Sequence, residues 1–295
     1  MDEFDKYKTY LEINMNTFID NNFPSKINEQ IKYMCDDGKK LRGVLVLIFG
    51  SSNLEQSSSI VIHIAILIEV LHSISLVLDD CPLMDNDKYR RNKKSFFNQY
   101  GGQYTLFYIY YCINKLLIDI ISVSVSSPKL NINYITTKLD NLITGQLLDI
   151  NNTSTIAQCD TSLSLYKEIQ QLNDEPFSLH KEGPLLENIK LNIYKTGSLF
   201  SLAIDLPYDL EELYGVLPDN WSLLFGLLFQ YSDDYMDLEQ DIINDKPNIC
   251  KILDKPIVKR IIFNGCDKLQ DSVNKFNLNK VVLKYILDRV RSRVC

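Results

Sequence analysis

"IVIHIAILIEVLHSISLVLDDCPLMDNDKYRR" runs from Ile60 to Arg91, and its reading decides the fold. The part from 60 to 78 is rich in Ile, Val and Leu, which taken alone favours strands. Length decides against them, because an apolar run of about 20 residues exceeds an ordinary strand and suits a helix. The run also carries His63, Glu69 and His72, which would be costly inside a membrane. A helix buried on all sides within a soluble protein is the better reading. That helix leads straight into Asp79 and Asp80, then Pro82, Asp85, Asp87, Arg90 and Arg91.

The same logic extends along the chain. Glycine and proline number only 11 and 9, and the stretches 51–81 and 103–127 contain neither. Strands need turn punctuation more often than this. The sequence therefore predicts an all-α protein, a single-domain bundle of roughly ten helices over residues 1–295. Helix breaks are expected near 21–26, 81–87, 126–131, 151–162, 180–186, 205–210 and 244–250. No Gly/Ser- or Pro-rich tract marks a linker between domains.

Composition narrows the function. Hydrophobic residues make up 45% and charged residues 23%, an ordinary globular balance that allows a sizeable core. The net charge of −7 argues against a nucleic-acid partner, which needs a basic face. It leaves room for a local basic pocket. Seven cysteines stand at irregular spacing, at 35, 81, 112, 159, 250, 266 and 295, with no CxxC pair. They predict free thiols in a reducing, cytoplasmic setting. Only three histidines occur, so a histidine-rich metal site is not expected. The N-terminus resembles neither a signal nor a transit peptide, and no membrane span is expected.

An apolar segment ending in aspartates occurs twice, at "SLVLDDCPLMD" (75–85) and "LFQYSDDYMD" (228–237). On a helix, Asp233 and Asp237 are about 40° apart, one turn from each other. An isolated DDxxD is more often a solvated helix end. Here "WSLLFGLLFQYS" precedes it, so the carboxylates close a buried helix, and an all-oxygen set suits Mg²⁺. Asp79 and Asp85 pose a different problem, since six residues of helix would rotate one from the other by about 240°, to different faces. Pro82 answers it by ending the helix, so that the chain can loop and return Asp85 toward Asp79. Asp87 reads as a solvent-side acid. Two such clusters imply metal sites facing one cavity.

Cations accompany both clusters. "DDGKKLRG" (36–43) supplies Lys39, Lys40 and Arg42, and "YKTGSLF" (194–200) supplies Lys195 and Thr196. Lys246 and Lys255 follow the second cluster. Each alone reads as a surface charge. Together with Mg²⁺-holding carboxylates, they are what a diphosphate site needs. No GxxxxGK[ST] loop and no GxGxxG turn competes for that role.

This constellation resembles the trans-isoprenyl diphosphate synthases, the polyprenyl synthetase family that includes farnesyl and geranylgeranyl diphosphate synthases. The resemblance covers about 36–260. "DGKKLRG" resembles the family's GGKRxRP, "DDCPLMD" its longer first aspartate motif, and "RRN" (90–92) its RRG. Gly145, Gln146 and Asp149 match GQxxD, Lys195 to Gly197 match KTG, and Phe229 to Asp237 match FQxxDDxxD.

The resemblance implies the isoprenoid synthase fold, a helical bundle around a central cavity, and Mg-dependent prenyl transfer. Mg²⁺, with Mn²⁺ as a substitute, would lie on Asp79, Asp80 and Asp85 and on Asp233, Asp234 and Asp237. Arg90, Lys195, Thr196, Gln230, Lys246 and Lys255 would contact the allylic diphosphate. Asp79, Asp80, Asp85, Arg90, Lys195 and Asp233 would be catalytic. Lys39, Arg42, His72 and Arg91 would hold isopentenyl diphosphate. His72 has support of its own: it precedes Asp79 by seven residues, about 20° away in projection, so both face one side. The family also implies a homodimer.

The chain departs from the pattern at Asp37 and Asn92, where the family has glycine. Lys40 stands for arginine, Gly43 for proline, and the bulky "YIYYC" (108–112) for a small-residue segment. Product length depends on the residues under Asp79. Ile74 and Ser75 are not aromatic, which favours geranylgeranyl over farnesyl diphosphate, whereas Tyr108, Tyr110 and Tyr111 could restore a floor. Two other functions compete: a terpene synthase on the same fold, and a non-catalytic subunit of a prenyl diphosphate synthase. Retention of Lys39, Arg42 and His72 argues against the first. The six aspartates argue against the second, since idle buried carboxylates cost stability.

Overall fold

The computed structural model describes residues 2–127, 129–151, 160–173, 176–211, 217–274 and 276–295. These residues form an all-α protein with one minimal β-ribbon. Contacts group them into two compact units, Met1–Ile132 with Leu206–Glu211, and Asn133–Asp205 with Glu212–Cys295.

The first unit holds α1 (Glu3–Asn22), α2 (Asn28–Cys35), α3 (Leu41–Phe49), α4 (Ser59–Asp79), α5 (Phe96–Tyr100) and α6 (Gly102–Ser126). The run that opened the sequence is α4. Its N-terminus is capped by Ser58, whose hydroxyl accepts from the Val61 amide. Val61, Ile64 to Val70, Ile74 and Val77 are buried, and α1, α2, α3 and α6 all lie against this helix. Burial on most sides explains why charge is so scarce along it. By length and composition α4 and α6 could each cross a membrane, but α4 is largely buried inside its unit. α6 is not, and Leu106, Phe107, Tyr110, Ile118 and Ile121 are each more than half exposed.

The second unit holds α7 (Ile132–Asn151), α8 (Asp160–Leu172), α9 (Leu179–Asn192), α11 (Trp221–Ile243), α12 (Lys255–Ser272) and α13 (Lys280–Ser292). α10 (Ser198–Glu211) is divided between the units after Asp205. α11 is the central helix here, buried from Trp221 to Leu228, with the Trp221 ring stacked on Phe225 at 5.8 Å. The Trp221 indole N–H donates to Ser272 at 2.9 Å, which ties α11 to α12.

Two expected breaks are corrected. Residues 180–186 lie inside α9 and 205–210 inside α10, with Pro184 and Pro207 carried within the helices. Each proline removes one backbone donor. Burial of Leu185 and Ile189 in α9, and of Leu202, Ala203, Ile204, Leu206 and Tyr208 in α10, outweighs that loss. The break at 151–162 lies largely outside the described residues.

One element was not foreseen: a two-stranded ribbon of β1 (Tyr89–Arg90) and β2 (Lys93–Lys94), antiparallel, with Arg90 opposite Lys93. Its two-residue turn is Arg91–Asn92, both left-handed at φ 53° and 63°. A type I′ turn requires that sign at both positions, and asparagine tolerates it better than most residues. This explains how Asn92 can stand where the family has glycine.

Candidate active site

α4 stops at Asp79, and the chain turns tightly through Cys81 and Pro82. The Cys81 carbonyl accepts from the amides of Met84 (2.8 Å) and Asn86 (3.1 Å). The Asp85 amide donates to the Asp79 carbonyl at 2.9 Å, so the loop brings Asp85 back beside the helix end. Asp79 is half-buried and Asp85 exposed, and both are reachable from solvent.

Asp80 has another use. It is 2% exposed, and its Oδ1 accepts from Arg90 Nε at 2.6 Å and Nη2 at 2.5 Å. Burial raises its carboxyl pKa, against the pull of Arg90. The Arg90 guanidinium also reaches Asp87 at 3.4 Å, so Asp87 is an exposed partner of Arg90 as well as a solvated acid. Asp80 thus orients Arg90 rather than facing outward with Asp79 and Asp85.

Arg91 lies in the turn of the β-ribbon. Arg91 Nη1 donates to the Asp36 carbonyl at 2.8 Å. Ser73, Asp80, Arg90, Arg91, Lys93 and Phe96 line one cleft. On α3, Arg42 Nη1 donates to His72 Nε2 at 3.1 Å. Burial, then the charges of Arg42, Arg91 and Lys40, hold the His72 pKa well below the ordinary histidine value. Lys39 is exposed nearby in sequence, whereas Lys40 is 4% exposed and donates to the Cys35 carbonyl.

In the second unit, the KTG residues form a π-helical turn, Ile193–Gly197, between α9 and α10. Lys195 pairs with Asp149 of α7. A Cβ on Gly145 would lie 2.5 Å from the Lys195 backbone nitrogen, so only glycine lets α7 approach this turn. Thr196 Oγ1 donates to Gln230 Oε1 (2.9 Å), and Gln230 Nε2 donates to Asp234 Oδ1 (2.9 Å). Asp234 Oδ2 also accepts from the Ile249 amide at 2.9 Å. Asp234 is 6% exposed, and burial pushes its carboxyl up to about 6. Like Asp80, it organises its neighbours from inside.

Asp233 and Asp237 face outward, half-buried and exposed. Asp233 Oδ1 accepts from Arg293 Nη1 at 2.5 Å. The same guanidinium reaches Ser232 at 3.0 Å and lies 4.5 Å over the Phe229 ring. Sequence reasoning missed Arg293; "RVRSRVC" at the C-terminus was its only signal. Lys246 is half-buried, and Lys255 sits over the Tyr235 ring at 4.6 Å.

Among the described residues, no three His, Cys, Asp or Glu side chains gather as a ready-made cation cage. Mg²⁺ does not need one: it commonly takes one or two carboxylates and completes its octahedron with water and phosphate oxygens. Asp79 with Asp85, and Asp233 with Asp237, are oxygen donors of that kind, so the residues fit Mg²⁺.

The residues tied to product length divide. Ile74 is buried at 2% exposure. Ser75 is half-buried and donates to the His72 carbonyl at 2.8 Å. The Tyr108 ring lies 5.6 Å from Phe96, Tyr111 lies 5.9 Å from Phe23, and Tyr110 points outward at 67% exposure.

Comparison with known proteins identifies the family and the fold. Residues 24–251 match the polyprenyl synthetase family profile. The farnesyl diphosphate synthase of Micrococcus luteus is 24% identical over 292 residues, covering 90% of each chain. The geranylgeranyl diphosphate synthase of Cyanophora paradoxa is 28% identical over 244 residues, 78% of this chain and 72% of that one. An isoprenoid synthase family member from Thermotoga neapolitana shares the fold, with a TM-score of 0.72 at 21% identity, covering 97% of this chain and 99% of that one. With the family pattern matched over most of its length, the chain belongs to the polyprenyl synthetase family.

Proposed function

We propose that this chain is a short-chain trans-prenyl diphosphate synthase, which joins isopentenyl diphosphate to an allylic diphosphate. The observation that carries the reading lies within the first unit. A carboxylate pair, Asp79 and Asp85, accompanies a separate set of three cations, Arg42, Arg91 and the exposed Lys39, with neutral His72 bonded to Arg42. Two sets suit two diphosphates, one bound through metal and one bound directly. A terpene synthase needs only the first.

In this reading Asp79, Asp85, Asp233 and Asp237 hold Mg²⁺, which when bound supplies charge neutralisation to the departing pyrophosphate. For the allylic diphosphate the reading takes Arg90, oriented by Asp80, from the first unit, and from the second Lys195, oriented by Asp149, with Thr196, Gln230, Lys246 and Lys255. Arg42, Arg91, Lys39 and neutral His72 hold isopentenyl diphosphate so that its double bond meets the allylic carbon. The protein's contribution is positioning and electrostatics, with no side-chain nucleophile.

Ser75 is small, and Tyr110 is turned outward, which supports geranylgeranyl diphosphate as the favoured product. A cytoplasmic, reducing setting suits the free thiols at 35, 81, 112, 250, 266 and 295. A second copy of the chain is the proposed occupant of the apolar face of α6, read out by analytical ultracentrifugation.

The deciding experiment incubates the purified chain with Mg²⁺, isopentenyl diphosphate and farnesyl diphosphate. A C20 diphosphate is expected. A C15 end point with shorter primers sinks the product assignment, a hydrocarbon makes the chain a terpene synthase, and silence makes it a non-catalytic subunit.

A further inference from the structure

The Gly43 amide donates to Glu69 Oε1 at 2.7 Å, and this bond joins α3 to α4 at the point where Arg42 and His72 meet. A helix start leaves amides without partners inside the helix. α3 has no cap of its own. Its N-cap residue is Lys40, left-handed at φ 52°, with its side chain directed to the Cys35 carbonyl and no acceptor to offer. Glu69, 3% exposed on α4, supplies the acceptor from a neighbouring helix. A carboxylate at a helix N-terminus is also favoured by the helix dipole.

Gly43 makes the bond possible in two ways. It has an N–H where the family pattern has proline, which has none. It also has no Cβ, which would lie 2.3 Å from Leu11 Cδ2 and 2.9 Å from Glu69 Cγ. The two helices are therefore held at close range at this position. Arg42 is the residue before Gly43. His72 is three residues, nearly one turn, beyond Glu69. The contact that fixes Gly43 on Glu69 thus fixes the register in which Arg42 reaches His72 at 3.1 Å.

We propose that Glu69 is a positioning residue: by capping α3 from α4, it holds Arg42 against His72 for the diphosphate of isopentenyl diphosphate. The inference rests on the reading of that pocket as the isopentenyl diphosphate site. It predicts that loss of the acceptor affects one substrate and spares the other.

The test compares Glu69→Ala, Glu69→Asp and Glu69→Gln in the full chain. Glu69→Ala should raise KM for isopentenyl diphosphate about tenfold, the size expected for one lost hydrogen bond to a buried donor, and leave the allylic KM within about twofold. Glu69→Asp keeps the charge but withdraws the oxygen by one methylene, and it should show the same split if Glu69→Ala does not fold. Glu69→Gln keeps an acceptor oxygen and should restore KM to within about threefold of the parent. Amide hydrogen exchange at the first turn of α3 should speed up in the Ala and Asp variants and recover in Gln. Equal rises in both KM values, or a Gln variant that fails like Ala, overturn the proposal. Calorimetry of the parent chain with isopentenyl diphosphate separates the two levels. No binding removes the pocket reading and the positioning role together, while exchange at Gly43 still scores the cap.

Discussion

The amide of Asp85 donates to the carbonyl of Asp79 at 2.9 Å, although the two are six positions apart in the chain. On a continuous helix a step of six residues is a rotation of about 240°, which leaves these side chains about 120° apart. The turn at Cys81 and Pro82 ends α4 and folds the chain back, which brings the Asp85 backbone against the end of the helix that carries Asp79. Asp80 lies between them in sequence but is buried against Arg90.

This division predicts unequal effects of substitution. Asp79→Ala and Asp85→Ala should each lower kcat by about a thousandfold, the scale of lost electrostatic stabilisation at a leaving group. Asp87→Ala removes only an exposed contact to Arg90 and should stay within about threefold. Steady-state assays across a Mg²⁺ titration measure all three. An Asp79→Ala enzyme with full activity would end the proposed role.

Gly145 should tolerate no side chain. Its Cβ would press on the Lys195 backbone, and overpacking of this kind costs about 1–3 kcal/mol. Gly145→Ala should lower the melting temperature and raise the allylic KM, because the displaced turn carries Lys195 and Thr196. Calorimetric melting and initial rates give both readouts. An unchanged melting temperature contradicts the close approach.

Arg293 is paired with Asp233, a carboxylate proposed to hold Mg²⁺. The pair is partly exposed, so removing it should be worth about 1 kcal/mol or less. Arg293→Ala should therefore lower the Mg²⁺ concentration needed for half-maximal rate by up to about fivefold. A higher Mg²⁺ requirement would mean that Arg293 supports the site instead.

His72 predicts a pH dependence of stability. Its folded pKa is depressed, by burial first and then by Arg42 and Arg91, so the folded state resists taking the proton. The unfolded chain accepts that proton near pH 6.5. Stability from this group is present above about pH 6.5 and is lost as pH falls below it. Urea midpoints of the parent should fall more than those of His72→Gln between pH 8 and pH 5.5. Parallel losses in the two proteins would rule out the coupling.

Ser75 predicts product length. Ser75→Phe places an aromatic ring one turn below Asp79 and should shift the main product from the proposed C20 to C15, read by mass spectrometry of the dephosphorylated alcohols. Unchanged C20 output means that another residue forms the floor.

Much of this protein is legible from the chain alone. The helix of 60–78, the two carboxylate clusters and their accompanying cations follow from residue type, run length and local spacing. Helical class is set by local pattern, so it can be read without a fold. The prolines at 184 and 207 show the limit even of local rules: they suggest breaks, and burial of their neighbours carries each helix through.

The tertiary structure decided how the charged residues are used. Asp79 and Asp80 are chemically identical neighbours, yet one is reachable from solvent and the other is enclosed with Arg90. Asp233 meets Arg293 from the far end of the chain, while Asp234 bonds Gln230 and the Ile249 amide. Glu69 looked like one polar residue in an apolar run, and it proves to cap a helix 26 residues away. A residue's type sets what chemistry it can offer. Whether it offers that chemistry to a ligand or to its own protein depends on burial and partners, and these come from segments remote in sequence.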